Sequence, residues 1–251
     1  MSDLITVQGV VISAMPIGEY DKRIVLLTRE RGKISAFVRG ARRLNSPFMA
    51  AAEPFVFGSF TLYEGRSSYN LNQVNVTHHF MELAAMQPGI YYGYYFLELA
   101  DYFGQEGTDE REMMNLLYVT VKALLNPHVK DSLIRCVFEL RAMAEEGYCP
   151  ELASCACCAR DEVPENDCFF SQEHHGILCG SCAKGQRGAV RISGAALYAM
   201  RYIVSAPMGK LYTFTVSEEV LAELERIIHR YVDRNTDRKF KSLEILDEQK
   251  V

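Results

Sequence analysis

Seven of the eight cysteines lie from Cys149 to Cys182, and four of them form two pairs with two intervening residues, Cys155 with Cys158 and Cys179 with Cys182. Twenty residues separate the pairs, a spacing at the upper edge of the structural zinc pattern. A two-residue knuckle lets both thiolates reach one tetrahedral ion, and two knuckles fill its four positions at ~2.3 Å each. No position is left for water or substrate. The expectation is therefore one structural Zn2+ ion holding a loop of roughly 30 residues that has little core of its own. Disulfides or unpaired core thiols are the alternative, which clustered spacing and a reducing compartment disfavour. Two features leave the ligand set open: Cys157 competes beside Cys158, and His174-His175 lies close enough to replace a thiolate. Cys136 reads as a small core residue of a helix, and Cys149 and Cys168 are unassigned.

A second constellation is basic. In Lys33-Ile34-Ser35-Ala36-Phe37-Val38-Arg39, strand alternation puts Ile34, Ala36 and Val38 on one side and Lys33, Ser35, Phe37 and Arg39 on the other. Cations follow phosphates and a ring stacks on any base, so this face suits single-stranded nucleic acid. Arg42 and Arg43 follow directly, and Lys22-Arg23 precedes the neighbouring strand. The competing reading is of solvated edge charges with Phe37 covered by helices. Arg226, Arg230, Arg234 and Arg238, spaced by four, would form a drifting stripe on one helix, suited to an acidic peptide or simply solvated.

The elements that must position these residues change character along the chain. From Leu4 to about Thr77, alternation punctuated by Pro16, Gly18, Arg31-Gly32, Pro47, Pro54 and Glu64-Gly65 predicts five short strands, the last Tyr69 to Thr77. A longer irregular stretch lies between Gly40 and Pro54. Such a region suits a small closed barrel, an OB-fold or else an SH3-like barrel. After Pro88 the period becomes helical, with helices opening at Ile90, around Met113 to Leu125, and from capping residues Asp131-Ser132 to Gly147. The run Tyr91 to Phe96 has the spacing of core aromatics. Helical patterning resumes at Ala195 to Val204 and Val220 to Tyr231, so the cysteine segment at about 149–185 is an insert in a helical domain. The fold class is multidomain α+β: an OB-fold barrel over 1–80, then a helical domain over 81–251 carrying the four-cysteine zinc module.

The 251 residues span one to two domains at about 150 residues each. Hydrophobic residues at 49% and charged residues at 24% exclude a disordered or fibrous chain. No apolar run approaches the roughly 18 residues of a membrane span, and the N-terminus has no basic export region, so a cytoplasmic protein without a membrane partner is expected. The net charge of −5 is unevenly spread: residues 1–80 hold nine basic against six acidic residues, the remainder eighteen against twenty-six. A basic first third joined to an acidic remainder suggests two partners. There is no phosphate loop, dinucleotide fingerprint, zinc-protease helix or nucleophile elbow, so no enzyme is expected.

The order barrel, helices, four-cysteine insert, helices resembles the bacterial recombination mediator family RecO. Gly18-Glu19-Tyr20-Asp21 leading into Ile24 to Lys33, then Arg39-Gly40-Ala41-Arg42-Arg43, is similar to that family's N-terminal signature. Cys155 to Cys182 resembles its zinc module, and Lys241-Ser242-Leu243 its closing segment. The resemblance implies DNA repair and recombination: binding single- and double-stranded DNA, annealing complementary strands, and helping RecA replace single-stranded DNA-binding protein, in association with the nucleoid. The implied partners are RecR and the acidic C-terminal tail of that binding protein. The implied zinc ligands are Cys155, Cys158, Cys179 and Cys182, and the DNA contacts a basic barrel surface at Lys33, Arg39, Arg42 and Arg43. No motif marks the tail site, for which the Arg226 to Arg238 stripe is the candidate. Two other classes compete, a zinc-containing scaffold that contacts only proteins and a hydrolase whose site is assembled from distant residues.

Overall fold

A computed structural model describes residues 3–66, 68–161 and 163–248. The chain divides into two compact units, Met1–Val121 with Phe240–Val251, and Lys122–Lys239.

In the first unit, β1 (Leu4–Ile17), β2 (Asp21–Thr28), β3 (Gly32–Val38), β4 (Val56–Glu64) and β5 (Tyr69–His79) close into a barrel of order β1-β2-β3-β5-β4. That five-stranded closure is the OB-fold, which removes the SH3-like alternative. β1 is long enough to serve two neighbours: Leu4 to Val10 pair with β4, Gly9 to Ile17 with β2, and a bulge between Val11 and Ser13 bends the strand between the two tasks. The expected break at Pro16 does not occur, since Pro16 lies within β1 opposite Lys22. β3 and β5 pair in parallel at Ala36 with Tyr69 and Phe37 with Asn70. Alternation fills the interior with Val7, Val11, Ile24, Leu26, Ile34, Ala36, Val38, Phe60 and Leu62, all buried. Gly32, at φ +67°, has no room for a side chain, because a Cβ would sit 1.9 Å from the Gln105 carbonyl oxygen.

Two helices follow, α1 (Gly89–Phe103) and α2 (Arg111–Leu124), and the chain returns to this unit with α7 (Lys241–Glu248). Most of the aromatic run is core: Tyr92, Tyr95 and Phe96 are buried, with Tyr95 and Phe240 edge to face at 5.4 Å, whereas Tyr91 is half-buried and Tyr94 exposed. The closing segment is tied to α1 through Ser242 N, which donates to Glu98 Oε2 at 3.3 Å.

The second unit packs α3 (Asp131–Glu145), α5 (Gly194–Ser205) and α6 (Glu218–Asn235) against one another. Asp131 and Ser132 do not cap α3. The cap position is Lys130, with no side-chain hydrogen bond, and Asp131 is already helical. Gly147 ends that region at φ +83°. Ser193 caps α5 by accepting from Ala196 N, and Ser217 caps α6 by accepting from Val220 N. Between α3 and α5 the cysteine segment forms a small sheet, which periodicity did not reveal: β6 (Cys168–Ser171) lies between β7 (Gly176–Cys179) and β8 (Val190–Arg191), and β7 runs into the single turn α4 (Gly180–Ala183). Because α6 ends at Asn235, Arg238 lies beyond it and the expected four-residue stripe keeps only Arg226, Arg230 and Arg234 on the helix. Among the described residues no helix is long and apolar enough to cross a membrane.

Candidate metal centre and nucleic-acid interface

Backbone turns bring two cysteine pairs together. In the first knuckle, Cys155 N donates to Arg160 O at 2.9 Å and Ala159 N returns to Cys155 O at 2.8 Å, with Ala159 at φ +54°. Ala156 N donates to Ile177 O at 2.8 Å, which fastens that knuckle to β7. Glu151 supports the approach by accepting from Ala153 N and Ser154 N at 2.8 and 2.9 Å, and these bonds hold its carboxyl below the usual range. The second knuckle is the junction of β7 with α4, where Cys179 ends the strand and Cys182 lies one turn on. Gly180 leaves room for the Asp167 carboxylate, which a Cβ would meet at 1.9 Å and have to displace.

The sulfurs of Cys155, Cys158, Cys179 and Cys182 all lie within 4.8 Å of one another. Cys158 Sγ is 3.9 Å from Cys179 Sγ. The edge of a tetrahedron with bonds of ~2.3 Å is ~3.8 Å, so four thiolates at these separations fit one ion. Burial of the Cys155 thiol opposes its ionisation, but N–H groups of Cys158, Cys179 and Cys157 together outweigh that cost and bring its pKa down from 9.0 to about 6. One of those donors, Cys179 N, lies 3.4 Å from the sulfur. Cys182 moves the other way, raised by hydrogen bonding to the Cys158 and Cys179 thiols. The donor set is what a thiophilic metal requires: sulfurs at metal-binding separation, with backbone dipoles favouring the anion.

The other candidates lie elsewhere. Cys157 is exposed and outside the four-sulfur group. His174 Nδ1 lies 3.0 Å from Ser171 Oγ, and His175 Nδ1 3.4 Å from the Tyr231 hydroxyl. Cys168, pushed up to about 11 by burial, is a neutral thiol paired across the sheet with Cys179, and burial also raises Cys136 inside α3.

The basic residues of the barrel fall into two groups. Lys22 forms an ion pair with Glu53, and Lys33 lies 3.5 Å from the Asp101 carboxylate. Arg23 and Phe37 are cross-strand partners, with Arg23 Nε donating to Ser35 Oγ at 2.9 Å. Arg39, Arg42 and Arg43 are exposed, as Arg23 is, but they lie on the segment that leaves β3. The loop from Gly18 to Asp21 holds this second group, a pairing of signature stretches that separation in sequence concealed. Gly40 N donates to Asp21 Oδ1 at 2.7 Å, Arg42 N to Tyr20 O at 2.8 Å and Arg42 Nη1 to Gly18 O at 3.3 Å. The Arg43 guanidinium lies over the Tyr20 ring, 5.3 Å from its centroid. Tyr20 and Asp21 therefore set the arginine turn, a role no spacing rule assigns. In the second unit, Arg226, Arg230 and Arg234 are exposed on α6, while the nearby Glu223 is occupied by Ser193, whose N and Oγ it accepts from at 2.7 and 2.6 Å.

An OB-fold barrel with an exposed arginine turn, followed along the chain by a helical unit bearing a four-thiol cluster, defines a multidomain α+β protein with a nucleic-acid-binding type of barrel and a candidate structural metal centre. Residues 1–80 match the family described as Recombination protein O N terminal, and residues 89–244 that described as Recombination protein O C terminal. The chain is 32% identical over 245 residues to the DNA repair protein RecO of Symbiobacterium thermophilum, covering 97% of each chain. It is 30% identical over 243 residues to that of Alkaliphilus metalliredigens, covering 96% of this chain and 98% of the relative. It belongs to the RecO family.

Proposed function

We propose that this protein is a DNA repair and recombination mediator that binds single- and double-stranded DNA, anneals complementary strands and, with RecR, helps load RecA onto strands coated by single-stranded DNA-binding protein. The observation that carries the reading is the turn holding Arg39, Arg42 and Arg43 outward beside Arg23 and Phe37. Annealing needs no catalytic base. Cations that neutralise phosphates screen strand repulsion and release counterions, while holding two strands on one surface raises their effective concentration. Lys22, opposite the inward-facing Val38, and Lys33 on the outer face of β3 both pair with carboxylates, which reduces what they offer phosphate. In this reading residues 1–80 form the DNA-binding domain, and 81–251 a partner-docking domain with its zinc module at about 149–185. Arg226, Arg230, Arg234 and Arg238 are the proposed receivers of the acidic tail of single-stranded DNA-binding protein. One Zn2+ ion held by Cys155, Cys158, Cys179 and Cys182 would supply a structural cross-link and no chemistry on DNA. Membership of the RecO family and the DNA repair names of its relatives support the role.

The test is the pairing rate of two labelled complementary strands with the purified protein across a salt series. Acceleration that fades as salt rises is expected. No acceleration at any salt overturns the annealing assignment.

A further inference from the structure

The arginine turn ends in a residue that phosphate binding does not use. Leu44 is 88% exposed, the most exposed of the large hydrophobic side chains described. It directly follows Arg42 and Arg43 and occupies the first central position of a β-turn closed by Ser46 N donating to Arg43 O at 3.1 Å. Asn45, at φ +64°, takes the second central position in the left-handed region that asparagine tolerates. The turn is anchored on both sides. Before it stand the bonds from Arg42 to the Gly18–Tyr20 loop and from Arg43 N to Gly40 O at 3.0 Å. After it, Phe48 N donates to Ser46 Oγ at 3.3 Å, and the Phe48 ring packs against the barrel core. Leu44 is thus held out on a fixed base, not on a loose strand of loop.

A scattered exposed leucine needs no explanation. This one differs because a polar residue would suit a solvated turn tip, because two exposed arginines adjoin it, and because its backbone is tied to the barrel. An apolar side chain standing out beside two cations on a rigid support suits a ligand of stacked bases flanked by phosphates. The cations take phosphate oxygens on either side of a base step, and the aliphatic wedge enters between the two bases and unstacks them. A peptide ligand would need a groove to receive its own side chains, whereas a protruding wedge needs a ligand that opens.

We propose that Leu44 is a base-step wedge, inserted between adjacent base pairs of duplex DNA held by Arg42 and Arg43. The inference deepens the DNA-binding reading above and rests on it. Insertion at one step opens the stack locally without hydrolysis, and pyrimidine–purine steps, being the easiest to unstack, are the preferred points of entry.

The experiment uses the full-length protein and a short duplex carrying 2-aminopurine in place of each adenine of one strand. Fluorescence reports unstacking, and anisotropy of an end label reports binding in the same samples. Wild-type protein is expected to raise 2-aminopurine emission on binding. Leu44→Ser is expected to lose the rise while binding with an unchanged salt slope, Leu44→Phe to restore it, and Arg42→Ala to lower the salt slope. Unchanged thermal melting of the Leu44 variants confirms intact folding, as expected for so exposed a position. Binding without any rise, or a rise that survives in Leu44→Ser, overturns the wedge and leaves the DNA-binding reading standing. Absence of binding by wild-type protein overturns both.

Discussion

The barrel of β1–β5 encloses one continuous apolar interior, drawing Val7 and Val11, Ile24 and Leu26, Ile34, Ala36 and Val38, Phe60 and Leu62 from strands of seven residues or more. The cysteine module has strands of four, four and two residues. It buries only Leu152, Val163, Phe170, Ile177 and Leu178 among its larger apolar side chains, and Cys155, Cys168 and Cys179 are among its most buried residues. Within its own unit it is fixed at a few points, such as the Phe170 edge on Tyr231 at 5.9 Å and Gln172 Nε2 donating to Ile227 O at 3.0 Å. A closed barrel with a full interior persists without help. A three-stranded sheet this short is too small to do so and needs a cross-link at its open end. That contrast assigns each region a different point of failure.

The largest effect is expected from breaking the module. With the proposed zinc ion in place, treatment with a chelator, or replacing Cys179 with Ser, should take zinc content from one ion per chain to none. Binding of a structural zinc is worth on the order of 10 kcal/mol, so order in residues 150–183 should go with it. Hydrogen exchange is the measurement. Amides of Phe169 to Cys179 should lose protection while those of β1 to β5 keep theirs. Full zinc content in Cys179→Ser would remove that residue from the ligand set.

The reciprocal break lies in the barrel. Phe60 is fully buried on β4, and Phe60→Ala should cost about 3–5 kcal/mol through lost transfer energy and the cavity left behind. The variant should keep its zinc, since no residue of the module lies in that core. Urea unfolding followed by a barrel amide, with metal content measured in parallel, checks both halves.

How much of each region was legible follows from the same contrast. The barrel could be read because its strands alternate and each boundary carries a glycine, proline or turn pair. The burial pattern of β3, in which Ile34, Ala36 and Val38 point inward, is the alternation of the sequence itself. The two knuckles were legible because chelation is local at each pair. Three things were not. The sheet β6–β8 is too short for a period to register. The cap of α3 is misplaced in the sequence reading because Asp131 is already helical, with its carboxyl pKa raised by burial, so side-chain chemistry alone does not mark the boundary. The arginine turn depends on contacts from Tyr20 and Asp21, about twenty residues away, and pattern reading sees spacing within an element and not between loops.

A smaller effect distinguishes the exposed arginines of the two units. Arg42→Ala and Arg43→Ala should each weaken DNA binding irrespective of sequence and reduce the salt slope by about one. Arg230→Ala on α6 should leave both unchanged, because in the proposed division of labour that surface receives protein. Anisotropy titrations at several salt concentrations decide the matter. A slope that falls equally for Arg230→Ala would erase the distinction between a DNA-binding barrel and a protein-docking helical unit.

The smallest expected effect comes from the two cores. Side chains of the barrel interior do not titrate between neutral and mildly acidic pH, whereas the second unit buries an ionisable cluster. Arg135 Nε donates to Glu139 Oε1 at 2.8 Å, and His229 Nε2 lies 3.5 Å from Glu139 Oε2 and 3.8 Å from Cys136 Sγ. Burial depresses the His229 pKa below 6.5, and the pull of Glu139 in the opposite direction does not compensate. A base whose folded pKa lies below its unfolded value takes up a proton on unfolding in the interval between the two. Its stabilising effect is therefore fully present above about 6.5 and is lost as pH falls through the folded pKa. Amides of α3 and α6 should lose protection over that interval while those of β2 and β3 do not. In His229→Gln the pH dependence of the helical unit should flatten. If it does not, another group of the cluster carries the titration, and the barrel and the helical unit differ in their acid response for a reason other than this histidine.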